Sequence, residues 1–396
     1  MPTNIDELAL AKALEEKVCS WRHHLHAHPE LSFEEVETTA YLKAQLEAMG
    51  AYDLKVGCPG HPNTGLVADL RGAQGPRVAW RTDIDALPVT EELNLPFTSV
   101  NQGKMHACGH DAHMALALGV AQAFAHHPEL AQGRSLRLIF QPAEEKGGGA
   151  ECMVAGGAID GVEALFGCHI WSPTPLGTIE FTDGPLMAEA DLFTITLTGK
   201  GGHGSMPHLS IDPVACALTL GSALQTLVSR EVDPLESFVL SICKVEAGTA
   251  GNIIPQTCTL TGTTRFFDLA LGDRLMGRIE EMAHQIAGAH RCTATYQRTR
   301  GAHPLINDKA LAHWAMDQLR GLWGEKVVFG KPTMAGEDFG NYLERVPGLF
   351  FFLGTGPSEL GGTPWPQHHP LYEVSDSALV QGLASALRLL SRWRPQ

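Results

Sequence analysis

Three short apolar runs in the first half of the chain each end in residues that carry charge or bind cations. That pattern restricts the fold more than any other feature. The run at 77–80 leads into Arg81-Thr82-Asp83-Ile84-Asp85, the run at 136–140 into Gln141-Pro142-Ala143-Glu144-Glu145, and the run at 164–167 into Cys168-His169. Short apolar runs bounded by turn signals read as buried strands. Open α/β sheets bind ligands beyond the carboxyl ends of their strands, so the pattern predicts one sheet and one site. Between the first and second runs stands His106-Ala107-Cys108-Gly109-His110-Asp111-Ala112-His113. Cys and His are favoured ligands of zinc and its neighbours, and Gly109 permits the turn that lets Cys108 and His110 face one cation.

The rest of the chain supplies helices and a second folding unit. Leu10, Leu14, Val18, Trp21 and Leu25 form a helical stripe that stops at Pro29, and His23, His24, His26 and His28 read as surface or helix-end residues. Ser32 and Glu35 have the spacing of a capping box opening a second helix to Gly50. A strand is expected at 65–70 and an Ala-rich helix at 112–127. Near Met187 the pattern changes: Phe193, Ile195 and Leu197 alternate with threonines, and Asp212-Pro213 opens a helix. Strands at 238–246 and 257–267, a helix at 270–288 and a strand at 291–297 complete a β-α-β-β-α-β order, the ferredoxin-like sandwich. Helical and strand patterns then resume at 307–323, 349–353 and from 376. The expected fold class is α/β. Residues 1–186 and 298–396 form a domain with a mixed sheet flanked by helices, and 187–297 form an inserted ferredoxin-like dimerisation or lid domain.

Composition narrows the function classes. At 396 residues the chain exceeds one ordinary core, and 44% hydrophobic with 18% charged residues describes a globular protein. The net charge of −15 argues against nucleic acid and anionic membrane surfaces as partners. Nine cysteines without framework spacing suggest a reducing compartment. No signal-like stretch stands at residues 1–16 and no 18-residue apolar run occurs anywhere, so the expectation is cytoplasmic and not membrane-bound.

Adjacent acids such as Glu144-Glu145 usually mark a solvated surface. Here they follow an apolar strand, and neighbours in extended backbone point opposite ways. One can then ligate a metal while the other takes a proton from water beside it. His169 reads as a ligand as readily as a core histidine, and His368-His369-Pro370 could bring a ligand from a remote segment. Together with Gly201-Gly202-His203-Gly204-Ser205-Met206-Pro207-His208, Gly251-Asn252-Ile253-Ile254-Pro255 and Gly336-Glu337-Asp338-Phe339, these motifs resemble the amidohydrolase branch of the co-catalytic metallopeptidase family. That branch includes aminoacylases, hippurate hydrolases and plant indole-acetyl-amino-acid hydrolases, and the resemblance covers nearly the whole chain.

The resemblance implies two divalent ions per subunit (Zn, Mn, Co or Ni) held by Cys108, His110, Glu145, His169 and His368, with Cys108 a candidate bridge. It implies Glu144 as general base and His203 reaching a neighbouring subunit's site in a homodimer. Asn252, Arg265 and His208 would hold the substrate. Where the peptidases carry a ligand His, this chain has Asp83, which points away from a peptidase and makes Asp85 a residue that orients a ligand His. The expected activity is hydrolysis of small N-acyl amino acids to a carboxylic acid and a free amino acid. A dipeptidase or carboxypeptidase on the same site, a silent relative binding metal or conjugate, and a Cys108 nucleophile are the alternatives.

Overall fold

A computed structural model describes residues 5–395, which fold into two compact units. Residues 1–4 and 396, counted with the first domain in the sequence reading, lie outside the described residues. The first unit runs to Leu186 and resumes over Asn307–Lys331 and from Asp338 onward, while Met187–Ile306 and Pro332–Glu337 make the second.

The first unit is built on a mixed eight-stranded sheet. Its strands are β1 (Tyr52–Cys58), β2 (His61–Leu70), β3 (Arg77–Asp83), β4 (Ser135–Gln141), β5 (Val162–Pro175), β6 (Ile179–Phe181), β15 (Val327–Phe329) and β16 (Gly348–Gly356), in the spatial order β1-β2-β4-β3-β5-β16-β6-β15. The four central strands β4, β3, β5 and β16 are parallel neighbours. They carry the near-continuous apolar runs of strands covered on both faces. Register pairs Asp83 with Gln141 and His169 with Phe352. The carboxyl end of β3, the turn after β4 and the middle of β5 therefore share one rim. Helices α1 (Glu7–Ala27), α2 (Val36–Met49), α3 (His110–His126), α4 (Gly149–Ala155), α7 (Lys309–Trp323), α8 (Gly340–Leu343) and α9 (Ser377–Arg392) complete the unit. Almost every residue of α3 is buried, as its all-round apolar sequence requires. Leu379, Leu383, Leu387 and Leu390 of α9 join Val18, Trp21 and Leu25 of α1 in the same core.

Several sequence expectations are corrected here. The Ser32–Glu35 pair does not cap α2. Glu30 does that work, accepting from the amides of Glu37 and Thr38 at 3.3 and 2.7 Å, and Ser32 and Glu35 point elsewhere. His26 stands in the last turn of α1, as expected, but not at the surface: it is 2% exposed and bonded to Asp111 and Glu91. Strand β1, not expected from the sequence, pairs with β2 at the sheet edge, with Tyr52, Leu54 and Val56 alternating with Asp53 and Lys55. Strand β5 runs six residues past His169, through Trp171 and Ser172, so His169 sits within a strand and not at its end. The cysteines are not all thiols, since Cys58 and Cys152 form a disulfide with Cα atoms 5.5 Å apart. That pairing joins the end of β1 to α4, a proximity no spacing reveals.

The second unit contains a four-stranded antiparallel sheet of β8 (Glu189–Thr198), β10 (Phe238–Ala247), β12 (Thr257–Phe266) and β13 (Thr293–Thr299), ordered β10-β12-β8-β13. Helices α5 (Pro213–Glu231) and α6 (Leu269–Ala289) cover one face of it, with Phe193, Ile195 and Leu197 meeting Leu220, Leu224, Leu275 and Ile279. The Asp212 carboxylate caps α5, ahead of Pro213. The chain order and sheet order are those of the split β-α-β-β-α-β motif. Short strands β9 (Gly202–His203) and β11 (Ile253–Ile254) pair as a separate arm, and β7 (Pro185–Met187) and β14 (Leu305–Ile306) lie near the two ends of the inserted chain. Among the described residues no helix is long and apolar enough to cross a membrane.

Candidate active site

Gly109 makes the turn that aims the metal-binding motif. It caps α3 in a left-handed conformation (φ 93°), and a Cβ there would meet Ile170 at 3.3 Å. Cys108 stands on one side of this turn and His110 on the other. An isolated bridge between Leu87 and Met105 brings the motif alongside the segment leaving β3. In the first turn of α3, Asp111 is gripped by Arg22 Nε at 3.0 Å and His26 Nδ1 at 2.9 Å.

The imidazoles are oriented by what their other nitrogens do. His169 Nδ1 donates to the Ile170 carbonyl at 2.6 Å, and its Nε2 faces Cys108 Sγ at 3.4 Å. Burial, then the neighbouring His113, holds the His169 pKa well below its ordinary value, so its lone pair is available. His110 Nδ1 donates to the Asp85 carbonyl at 2.9 Å, leaving Nε2 buried without a hydrogen-bond partner among the described residues. That atom faces Asp83 Oδ2 at 3.7 Å and Glu145 Oε1 at 3.9 Å. Burial would lower the His110 pKa, but Asp83, Asp85 and Glu145 outweigh it and raise it to about 10. The surroundings thus favour positive charge at Nε2, for which a proton and a divalent cation compete.

The carboxylates come from the turn after β4. Asp85 accepts from the amides of Glu144 (3.2 Å) and Glu145 (3.1 Å) and from Ser32 Oγ (2.6 Å). Ala143, just before them, adopts φ 51°, a left-handed conformation that a Cβ makes costly, and Glu35 Oε1 accepts its amide at 2.8 Å. Burial and then the Asp85 charge push the Glu35 carboxyl up to about 7. Glu145 Oε1 lies 3.4 Å from His368 Nε2. His368 is also left-handed, at φ 69°, and its amide donates to Ala107, so a remote loop is pinned to the motif. Cys108, His110 and His169 present ligand atoms within 4.8 Å of one another, as do Cys108, Glu145 and His368, and His110, Glu144 and Glu145. These sets share Cys108, His110 and Glu145, so the donors are continuous.

A cation fits this donor set. One thiol, three imidazoles and carboxylates suit borderline first-row ions. The buried His110 Nε2 and Glu145 Oε1 have no hydrogen-bond partner among the described residues and are atoms that a cation would satisfy. Burial and then the charges of Glu145 and Glu144 raise the Cys108 thiol pKa well above its ordinary value, an effect that a cation beside the sulfur would oppose. Asp83 has both oxygens engaged, Oδ1 with His113 Nδ1 at 2.6 Å and Oδ2 with Arg81 Nη1 at 2.9 Å. Burial opposes its charge, yet His110, His113 and Arg81 hold it well below the usual carboxylate range. His113 Nε2 in turn accepts the Ile170 amide at 2.8 Å, which spends both of its nitrogens.

Sequence reasoning passed over the residues that brace this cluster: Ser32, Glu35, His113 and the Arg81-Gln141-Asp338 network. Arg81 Nε donates to Gln141 Oε1 at 2.8 Å and Nη2 to Asp338 Oδ1 at 2.7 Å. A buried Arg in the 77–83 strand was the available signal, because a charge is buried only when paired.

The remaining expected residues belong to the second unit. His203 is exposed on β9, and its Nδ1 accepts from the Ser205 amide at 3.1 Å, so its neutral ring carries the proton on Nε2. Asn252 is exposed and its carbonyl accepts from the Gly204 amide at 2.9 Å, which places it on the same arm as His203. Arg265 is half-buried on β12, where Nη1 donates to Thr263 Oγ1 and, at 3.0 Å, to the Thr264 carbonyl. His208 is exposed in a single 3-10 turn, Pro207–Leu209.

Cys, His and Glu converging at the carboxyl rim of a parallel sheet define a metal-hydrolase type of centre. Comparison with known proteins gives the family. Residues 79–392 match the family described as Peptidase family M20/M25/M40, and this chain belongs to it as a hydrolase. The chain is 40% identical over 382 residues to the N-acetyl-L-cysteine deacetylase of Bacillus subtilis, covering 95% of this chain and 89% of that protein. It is 38% identical to IAA-amino acid hydrolase ILR1-like 4 of Arabidopsis thaliana, covering 94% and 84%. It is 37% identical to thermostable carboxypeptidase 2 of Saccharolobus solfataricus, covering 95% of each. Among solved structures, the Bacillus subtilis YXEP protein, described as a dinuclear metal-binding peptidase of the M20 family, superposes with a TM-score of 0.82 at 35% identity, covering 96% and 98%.

Proposed function

We propose that this chain hydrolyses the amide bond of N-acyl amino acids, hippurate-like or related conjugates, with a pair of divalent ions (Zn, Mn, Co or Ni) as cofactor. The observation that carries the reading is the buried pair His110 Nε2 and Glu145 Oε1, 3.9 Å apart and without hydrogen-bond partners among the described residues, amid the donors of Cys108, His169 and His368. Those five residues would hold the ions, which when bound supply Lewis acidity to water and to the amide carbonyl. Glu144, on the same turn as Glu145, takes the proton of the attacking water and delivers it to the leaving amine nitrogen. Asp85 fixes the direction of both carboxylates through their amides. His203, a donor through Nε2–H, stabilises the oxyanion across a homodimer. Asn252, His208 and Arg265 hold the substrate, the guanidinium taking the α-carboxylate.

The names of two relatives support the substrate class, since both describe amino-acid conjugates. The carboxypeptidase relative favours a second reading, in which the cleaved amide is a peptide bond. Both substrates offer an amide beside a free carboxylate, so one experiment separates them. Dialysis against a chelator should abolish hydrolysis of a panel of N-acyl amino acids, and added Mn²⁺, Co²⁺ or Zn²⁺ should restore it. Dipeptides in the same panel should be poorer; faster dipeptide cleavage selects the second reading. Fully active protein without any transition metal would sink both.

A further inference from the structure

Three consecutive amides, those of Ala143, Glu144 and Glu145, are each held by a buried carboxylate: Glu35 takes the first and Asp85 the other two. Asp85 leaves the strand that borders the site. Glu35 comes from a remote part of the sequence, at the start of α2, and its side chain makes no bond to that helix, whose first amides Glu30 accepts. The segment carrying Glu35 is fastened to the same rim: Leu31 bridges Ala86, the Ala86 amide donates to the Glu30 carbonyl at 2.8 Å, and Ser32 bonds Asp85. Glu35 is wholly buried, and its Oε2 has no hydrogen-bond partner among the described residues. Burying a carboxylate with one oxygen left without a hydrogen bond is a poor route to stability. It is an effective constraint on direction, because the amide it holds belongs to Ala143, whose φ of 51° sets how the chain enters the two carboxylates.

We infer that Glu35 is a positioning residue for Glu144 and Glu145, acting through the Ala143 amide to hold the left-handed turn from which both side chains leave β4. The part that concerns metal and turnover rests on the function proposed above, whereas the hold on the turn does not. An apolar residue of similar size would fill the space equally well, so a merely structural role predicts that Met and Gln at this position behave alike. The positioning role predicts that they differ, since only Gln keeps an oxygen to accept the amide.

The experiment compares wild type, Glu35→Met and Glu35→Gln by amide hydrogen exchange on metal-free protein, followed by Zn²⁺ affinity in competition with a chelator and by kcat and KM. In Glu35→Met, exchange over residues 142–150 should quicken about tenfold, with α1 and α3 unchanged. Zn²⁺ affinity and kcat should each fall about tenfold, with a much smaller change in KM. Glu35→Gln should stay within about threefold of wild type in all of these. Wild-type exchange over 142–150 in Glu35→Met, or equal losses in Met and Gln, overturns the inference. If wild-type protein binds no Zn²⁺, the proposed metal centre fails while the exchange data still decide the hold on the turn. Should Glu35→Met not fold, Glu35→Asp serves the same comparison, because its shorter side chain draws the oxygen away from Ala143.

Discussion

Glu144 and Glu145 share a peptide bond, and their amides share one carboxylate, yet their side chains have different surroundings and different proposed roles. Glu145 Oε1 lies between His110 Nε2 at 3.9 Å and His368 Nε2 at 3.4 Å, the surroundings of a ligand. Glu144 reaches His110 and Glu145 from the same turn and is partly exposed, as a group that exchanges protons with water must be. On the proposed roles, Glu144→Gln should lose about a hundredfold or more in kcat, the usual contribution of positioned proton transfer, and keep its metal. Glu145→Gln should lose metal affinity as well, read by titration. Near-normal turnover in Glu144→Gln, or unchanged metal binding in Glu145→Gln, would refute the division. The residues in these roles could be seen in the sequence because Cys, His and paired acids are scarce and stood at the ends of apolar runs. Their braces could not. Ser32 and Glu35 match a helix-capping pattern, and the pattern holds no information about the Asp85 carboxylate or the Ala143 amide, which they meet only once the sheet has brought those segments together.

At the scale of elements, the site depends on α3 starting where it does, and α1 holds that start. Arg22 and His26, one turn apart on α1, both grip Asp111, the residue after His110. Burial would lower the His26 pKa, but Asp111 and Glu91 outweigh it and raise it to about 9. Since the folded value lies above the unfolded one of about 6.5, the grip's contribution to stability is complete below that pH. It is lost as pH rises through about 9. His26→Asn should therefore lower the thermal midpoint most near pH 6, with the gap to wild type closing by about pH 10. A gap that stays constant over that range would show that the charge on His26 does not matter. The apolar stripe of α1 was legible from its spacing, as was the buried stripe of α9. His26 was not, because its partners Asp111 and Glu91 lie 85 and 65 residues away and only tertiary packing brings them together. The overrun of β5 has a similar cause: His169 interrupts the apolar run, but pairing with β16 carries the strand past it through Trp171 to Pro175.

At the scale of the molecule, the chain carries a net charge of −15 and two units with separate cores, and the residues proposed to act together come from both. Glu144 belongs to the first unit, whereas His203 stands exposed on a two-stranded arm of the second. The arm suits a donor that must reach out: Ser205 fixes the ring through Nδ1, which leaves Nε2–H to meet a partner. If a two-fold homodimer delivers His203 in trans, each complete site needs Glu144 from one chain and His203 from the other. Glu144→Ala and His203→Ala homodimers should then both be nearly inactive. After mixing and exchange of subunits, roughly half the dimers are hybrids, and each hybrid has one site in which both residues are intact. Activity should recover to roughly a quarter of wild type per chain. Sizing with a mass tag on one variant confirms exchange independently of activity. With hybrids shown to form, a mixture as inactive as its parents would mean that His203 acts within its own chain or not at all.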